Sequence, residues 1–140
     1  MAQSYRLRLI TPTGVLFDGD VEEVTANGPL GQFGVLADHT NFITSLDPGL
    51  IEIRRPDGRR DYYLLSGGLA EVRFGAMTVL ADEAEPPQAA DEEALQRAAL
   101  EAEAQLVQLS FYQHEYEETQ HELALIRARQ QASELKRTIH

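Results

Sequence analysis

Asp82-Glu83-Ala84-Glu85-Pro86-Pro87-Gln88-Ala89-Ala90-Asp91-Glu92-Glu93 is the stretch at which this chain changes its backbone grammar. All ten glycines and all six prolines lie between Pro12 and Pro87, and the 53 residues from Gln88 to His140 contain neither. Glycine and proline punctuate turns, so the residues before the break are expected to form many short elements and those after it uninterrupted helix. A Pro pair can continue neither a helix nor a sheet ladder. It therefore reads as a short, stiff linker between two pieces, residues 1–87 and 88–140.

Backwards from the break, nine short apolar-alternating runs recur: Tyr5 to Ile10, Val15 to Phe17, Val21 to Thr25, Phe33 to Leu36, Phe42 to Leu46, Leu50 to Ile53, Tyr62 to Leu65, Leu69 to Val72, and Met77 to Leu80. Turn chemistry separates them at Thr11-Pro12-Thr13-Gly14, Asp47-Pro48-Gly49 and Pro56-Asp57-Gly58, the last set between two runs as a hairpin. Period-two runs at this spacing predict a two-sheet β-sandwich of about nine or ten strands, with Leu, Val, Ile and Phe between the sheets.

Forward from the break, Asp91-Glu92-Glu93 supplies an N-cap and an acidic first turn, which the helix dipole favours. Leu95, Ala98, Ala102, Leu106 and Leu109 follow on one stripe, predicting a first helix over 91–109. Ser110-Phe111-Tyr112-Gln113 has capping-box spacing, so a second helix is expected over 112–137, folded back as a hairpin. The rival is one helix of about 45 residues, because no Gly or Pro enforces the break. On the second helix, Leu125, Ala128, Ala132, Leu135 and Ile139 form a seam in which two of five positions are only Ala. A seam so poor in methylenes, each worth about 0.8 kcal/mol, is expected to hold weakly.

Charge divides the tail. Residues 91–122 hold nine acidic groups and one basic, net −8, whereas residues 123–140 hold Arg127, Arg129, Lys136 and Arg137 against Glu134, net +3. Cations at a helix C-terminus either compensate the dipole or wait for an acidic partner.

The formal net charge of −11, with no basic cluster carrying aromatics in the first 120 residues, argues against nucleic acid as a partner. The absence of cysteine excludes disulfides and thiolate metal sites and fits a reducing compartment. Met1 to Ile10 lacks the apolar region of a signal peptide and no 18-residue apolar run occurs, so membrane association is expected only through partners.

No catalytic set is legible. Gly28, Gly31 and Gly34 have neither Rossmann nor Walker spacing, and the single lysine, Lys136, stands far from them. Ser66-Gly67-Gly68 lacks the preceding glycine of a nucleophile elbow, and His39 is the one histidine of the β region. His114, Glu117, Glu118 and His121 share a helix face at i, i+3, i+4 and i+7, where a divalent metal can bind. Such His–Glu spacing more often makes a solvated ion-pair face, and no metal is expected.

Four segments read together carry a resemblance: Gly31-Gln32-Phe33-Gly34-Val35-Leu36-Ala37-Asp38-His39; Leu46-Asp47-Pro48-Gly49-Leu50; Ser66-Gly67-Gly68-Leu69-Ala70-Glu71-Val72; and Thr78-Val79-Leu80-Ala81-Asp82. With the opening Arg8-Leu9-Ile10-Thr11-Pro12, Phe17, Gly19 and the helical tail, they resemble the epsilon-subunit family of bacterial F-type ATP synthases in order, spacing and length. The resemblance implies a non-catalytic rotor subunit in the central stalk, peripheral on the cytoplasmic side of the bacterial cell membrane. Its sandwich fastens the gamma subunit to the c-ring so that ion flow drives ATP synthesis, and its tail can extend along gamma towards the alpha and beta subunits to block ATP hydrolysis.

Carried onto this chain, the resemblance implies ring or gamma contacts at Gln32, Phe33, His39, Thr40, Asn41 and Phe42, and a regulatory role for Arg127, Arg129, Lys136 and Arg137. The chain departs from the family's acidic residue at Gln32 and from its Pro-Gly-His-Ala-Pro loop, here Ala37-Asp38-His39-Thr40-Asn41, which alters loop stiffness and charge. Some relatives bind ATP between the tail helices through Asp-x-x-Arg-Ala and arginines on the second helix. Asp91 and Arg127 match, but Ala94 and Gln131 stand where two arginines belong, so no nucleotide cofactor is expected. The rival from another class is a free-standing β-sandwich binding module with a self-associating coiled-coil tail.

Overall fold

The computed structural model describes residues 3–110 and 113–138. Chain contacts divide it into two units, Met1–Pro86 and Pro87–His140. In the first strand, β1 (Tyr5–Thr11), Tyr5, Leu7, Leu9 and Thr11 point inwards while Arg6 and Arg8 face solvent, the alternation a half-buried strand requires. The other strands are β2 (Gly14–Val21), β3 (Glu23–Gly28), β4 (Gly31–Leu36), β5 (Phe42–Leu46), β6 (Gly49–Arg54), β7 (Arg60–Leu65), β8 (Gly68–Arg73), β9 (Ala76–Ala81) and β10 (Ala84–Glu85). They form two five-stranded sheets, ordered β2-β1-β9-β8-β5 and β10-β7-β6-β3-β4. Pairing is antiparallel throughout except between β1 and β9, which run parallel from Arg6 opposite Ala76 to Ile10 opposite Leu80. Leu7, Leu9, Val24, Val35, Ile51, Ile53, Met77 and Val79 fill the space between the sheets.

The Pro56-Asp57-Gly58 turn closes the β6–β7 hairpin, with Arg54 opposite Arg60. Gly58 sits at φ 88°, a conformation that glycine adopts without strain. Val21 ends β2 instead of opening the third strand, because β2 is mostly exposed and Asp18-Gly19-Asp20 hides its continuation past Phe17. The two-residue β10 falls below any periodic signal and is held by pairing with Leu64 and Leu65.

In the second unit, α1 (Glu92–Gln108) and α2 (His114–Thr138) fold back on each other as a hairpin. The Asp91 carboxylate caps α1 by accepting from the backbone N–H groups of Glu93 at 3.1 Å and Ala94 at 3.2 Å. Between the helices Ser110 N–H donates to Gln113 Oε1 at 2.6 Å, the reach-back half of a capping box. Phe111, Tyr112 and Ile139 lie outside the described residues.

The apolar seam differs from the one the spacing suggests. Leu123 and Ile126 pack on Ala99 and Ala102, flanked by Leu95, Ala98 and Leu106. Leu125 and Leu135 are only half-buried, although Ala128 and Ala132 are buried. Two overlapping stripes of Leu, Ile and Ala run along α2, and periodicity alone does not say which one meets α1.

Candidate functional site

The edge strands β4 and β5 belong to different sheets and meet at one side of the sandwich, where Phe33 and Phe42 touch edge to face with ring centroids 5.9 Å apart. The His39 ring lies 4.8 Å from that of Phe42 and donates through Nδ1 to the Thr40 carbonyl at 2.9 Å. Around these rings runs a groove of about 300 Å³ lined by Gly28, Pro29, Leu30, Gly31, Gln32, Phe33, His39, Phe42 and Thr44. Its walls are largely apolar, with the Gln32 amide and the His39 imidazole as polar points. Of the six positions singled out in the sequence, Gln32, Phe33, His39 and Phe42 line the groove. Thr40 and Asn41 lie on the loop beside it, and the Asn41 Oδ1 accepts from the Phe74 N–H at 3.0 Å.

Leu30, on the groove's wall, and Phe74, bonded to the adjoining loop through Asn41, were both missed in the sequence and stand in water. Each is a large apolar residue inside a tight, glycine-containing turn, and that misplacement was the available signal. A second exposed apolar row crosses the outer face of the first sheet. There Val15 is opposite Ile10, Ile10 opposite Leu80, and Leu80 opposite Leu69.

In the tail, Arg127 pairs with Glu103 of α1 at 2.9 Å and Arg137 pairs with Glu92. Arg129 and Lys136 make no ion pair among the described residues. The acidic half of the hairpin thus holds two of the four cations of the basic half. A polar cavity of about 270 Å³ lies between the helices, lined by Glu92, Leu95, Gln96, Gln130, Ser133, Glu134 and Arg137. Two carboxylates against one guanidinium make it a poor host for phosphate. Neither Asp91 nor Arg127 lines it: the first is spent on the cap and the second on Glu103. His114 pairs with Glu118 at 2.9 Å, and no group of three or more metal-ligating side chains gathers among the described residues. No helix among them is long and apolar enough to cross a membrane.

Residues 4–87 match the family described as ATP synthase, Delta/Epsilon chain, beta-sandwich domain. The ATP synthase epsilon chain of a Nitratiruptor species is 36% identical over 97 residues, 69% of this chain and 75% of the relative. That of Nitrosococcus oceani is 36% identical over 106 residues, 76% of each. Among solved structures, a chain of the Euglena gracilis mitochondrial ATP synthase (OSCP/F1/c-ring) superposes with a TM-score of 0.74 at 25% identity, covering 100% of this chain and 84% of that one. A chain of the Tetrahymena thermophila mitochondrial ATP synthase central stalk and c-ring shares the fold, with a TM-score of 0.57 at 16% identity, covering 94% of this chain and 98% of that one. On the match to more than half its length and on these relatives, the chain belongs to the ATP synthase delta/epsilon family, as an epsilon chain.

Proposed function

We propose that this epsilon chain is a rotor subunit without chemistry of its own, joining the gamma subunit to the c-ring so that ion flow drives ATP synthesis. The observation that carries the reading is the apolar groove with His39, Phe33 and Phe42 at the β4–β5 corner, a preformed docking surface in a protein with no acid/base or nucleophile set at it. In this reading the groove receives the ring's loops, and the apolar row through Ile10 and Leu80 faces gamma. The chain is peripheral on the cytoplasmic side of the membrane, and whether H⁺ or Na⁺ is carried is decided in the membrane subunits. The tail restrains ATP hydrolysis when Arg127, Arg129, Lys136 and Arg137 leave the hairpin for acidic groups of the catalytic alpha and beta subunits.

The test is reconstitution of the full chain with gamma and the c-ring. Phe42→Asp places a charge in the groove and is expected to weaken ring binding at least about tenfold while gamma binding persists. Failure of the wild-type chain to bind either partner, with a homodimer seen by light scattering, would instead support a self-associating binding module.

A further inference from the structure

The two-residue connection between β8 and β9, Phe74-Gly75, departs from two local rules at once. Both residues have positive φ, 49° and 76°, the pattern of a type I′ hairpin turn, for which Asn-Gly is the favoured pair. A bulky side chain in the left-handed region is strained. Phe74 is also 84% exposed, so its ring gains little from burial. Nothing in the folding of the sandwich asks for a phenylalanine there.

Its surroundings nevertheless hold the turn in place. The Phe74 N–H donates to Asn41 Oδ1 at 3.0 Å, which ties the turn to the loop carrying His39 and Thr40 at the groove. The Arg73 guanidinium lies 5.7 Å from the centre of the Phe74 ring. A solvated aromatic ring on a strained turn, whose backbone is tied to the loop that carries the groove residue His39, is the arrangement of an interface anchor, which recovers its cost only when a partner covers it.

We propose that Phe74 is such an anchor: its ring enters an apolar pocket on the extramembrane loops of the c-ring, and Arg73 meets oxygen atoms at the pocket's rim. The proposal rests on the reading of the groove as the ring's docking site. The ring is the occupant because Asn41 makes the turn continuous with the groove. The apolar row assigned to gamma is set off along β8, where Glu71 and Arg73 follow Leu69 on the same outer face.

Phe74→Asn tests this, because it installs the pair the turn prefers. The isolated full chain is expected to melt at the same temperature or higher, while its affinity for the purified c-ring, measured in the complex with gamma, falls about tenfold. A lower melting temperature shows the ring to be structural and overturns the proposal. Unchanged ring affinity in Phe74→Asn beside a loss in Phe42→Asp overturns the anchor and leaves the groove standing. Unchanged affinity in both variants overturns the groove reading as well. A photo-crosslinking benzoylphenylalanine at position 74 of the assembled synthase is expected to yield an adduct with the c subunit, and an adduct with gamma alone overturns the assignment.

Discussion

Tyr5 carries its hydroxyl into the sandwich core, where it donates to the Val35 carbonyl at 2.7 Å. Burial pushes its pKa well above the ordinary phenol value of 10.0, because the ionised form would place an anion among apolar side chains. The folded-state pKa is raised, so the stabilisation is complete below about pH 10 and is lost as pH rises beyond it. Tyr5→Phe is expected to cost about 1 kcal/mol at neutral pH, by removing the hydroxyl's bond to the Val35 carbonyl, yet to lose stability less steeply between about pH 10 and 11. Urea titrations at neutral and at alkaline pH check both. Gly68 makes a different demand: a Cβ there would collide with the Leu80 carbonyl oxygen and lie 2.9 Å from the Ala81 Cα, both backbone atoms that cannot swing away. Gly68→Ala is therefore expected to destabilise the protein by more than about 3 kcal/mol, read as a lowered denaturation midpoint. At this scale the sequence was informative about type but not about contact. Ser66-Gly67-Gly68 announces a turn, whereas the approach of Leu80 depends on a pairing partner that no local pattern names.

At the scale of elements, the tail hairpin is stitched by few apolar atoms and by charge. Two of its four buried seam residues are alanines, and the pairs Arg127–Glu103 and Arg137–Glu92 bridge the helices in solvent. Exposed pairs contribute roughly 0.2–1 kcal/mol each and weaken with salt. Glu92→Gln with Glu103→Gln is expected to loosen the hairpin by about 1 kcal/mol, with faster amide exchange along α2 as the measurement. On the proposed role of the tail, the same variant is expected to lower ATP hydrolysis by the assembled enzyme, since it frees Arg127 and Arg137 for another acidic surface. The nine apolar runs of the sequence fall on strands because alternation is a local property of a half-buried strand, and only Val21 belongs to a different strand from the rest of its run. The seam of α2 is not legible in the same way, because leucines and alanines recur on two adjacent helical faces, and only Ala99 and Ala102 on the facing helix decide between them. Gln32, Phe33, His39 and Phe42 of the groove were reached through the family resemblance and not through any local pattern, while Leu30 and Phe74 escaped notice because turns carry no periodicity.

For the molecule as a whole, the Pro86-Pro87 step coincides with the border between Met1–Pro86 and Pro87–His140. We take the sandwich to be an independent folding unit. A chain ending at Pro87 is expected to keep its strand signal in circular dichroism and to melt within about 5 °C of the full protein. Loss of cooperative melting in that fragment would show that the tail is needed to complete the fold. The parallel ladder between β1 and β9 has a bearing on how the chain is made. β1 lies inside its sheet, flanked by β2 and β9, so this early strand of the sandwich waits for one of the sandwich's last strands before its second edge is closed. Until Ala76–Ala81 has been made, Tyr5, Leu7 and Leu9 sit on an open, aggregation-prone edge, so the sandwich reaches its native state only once β9 is in place.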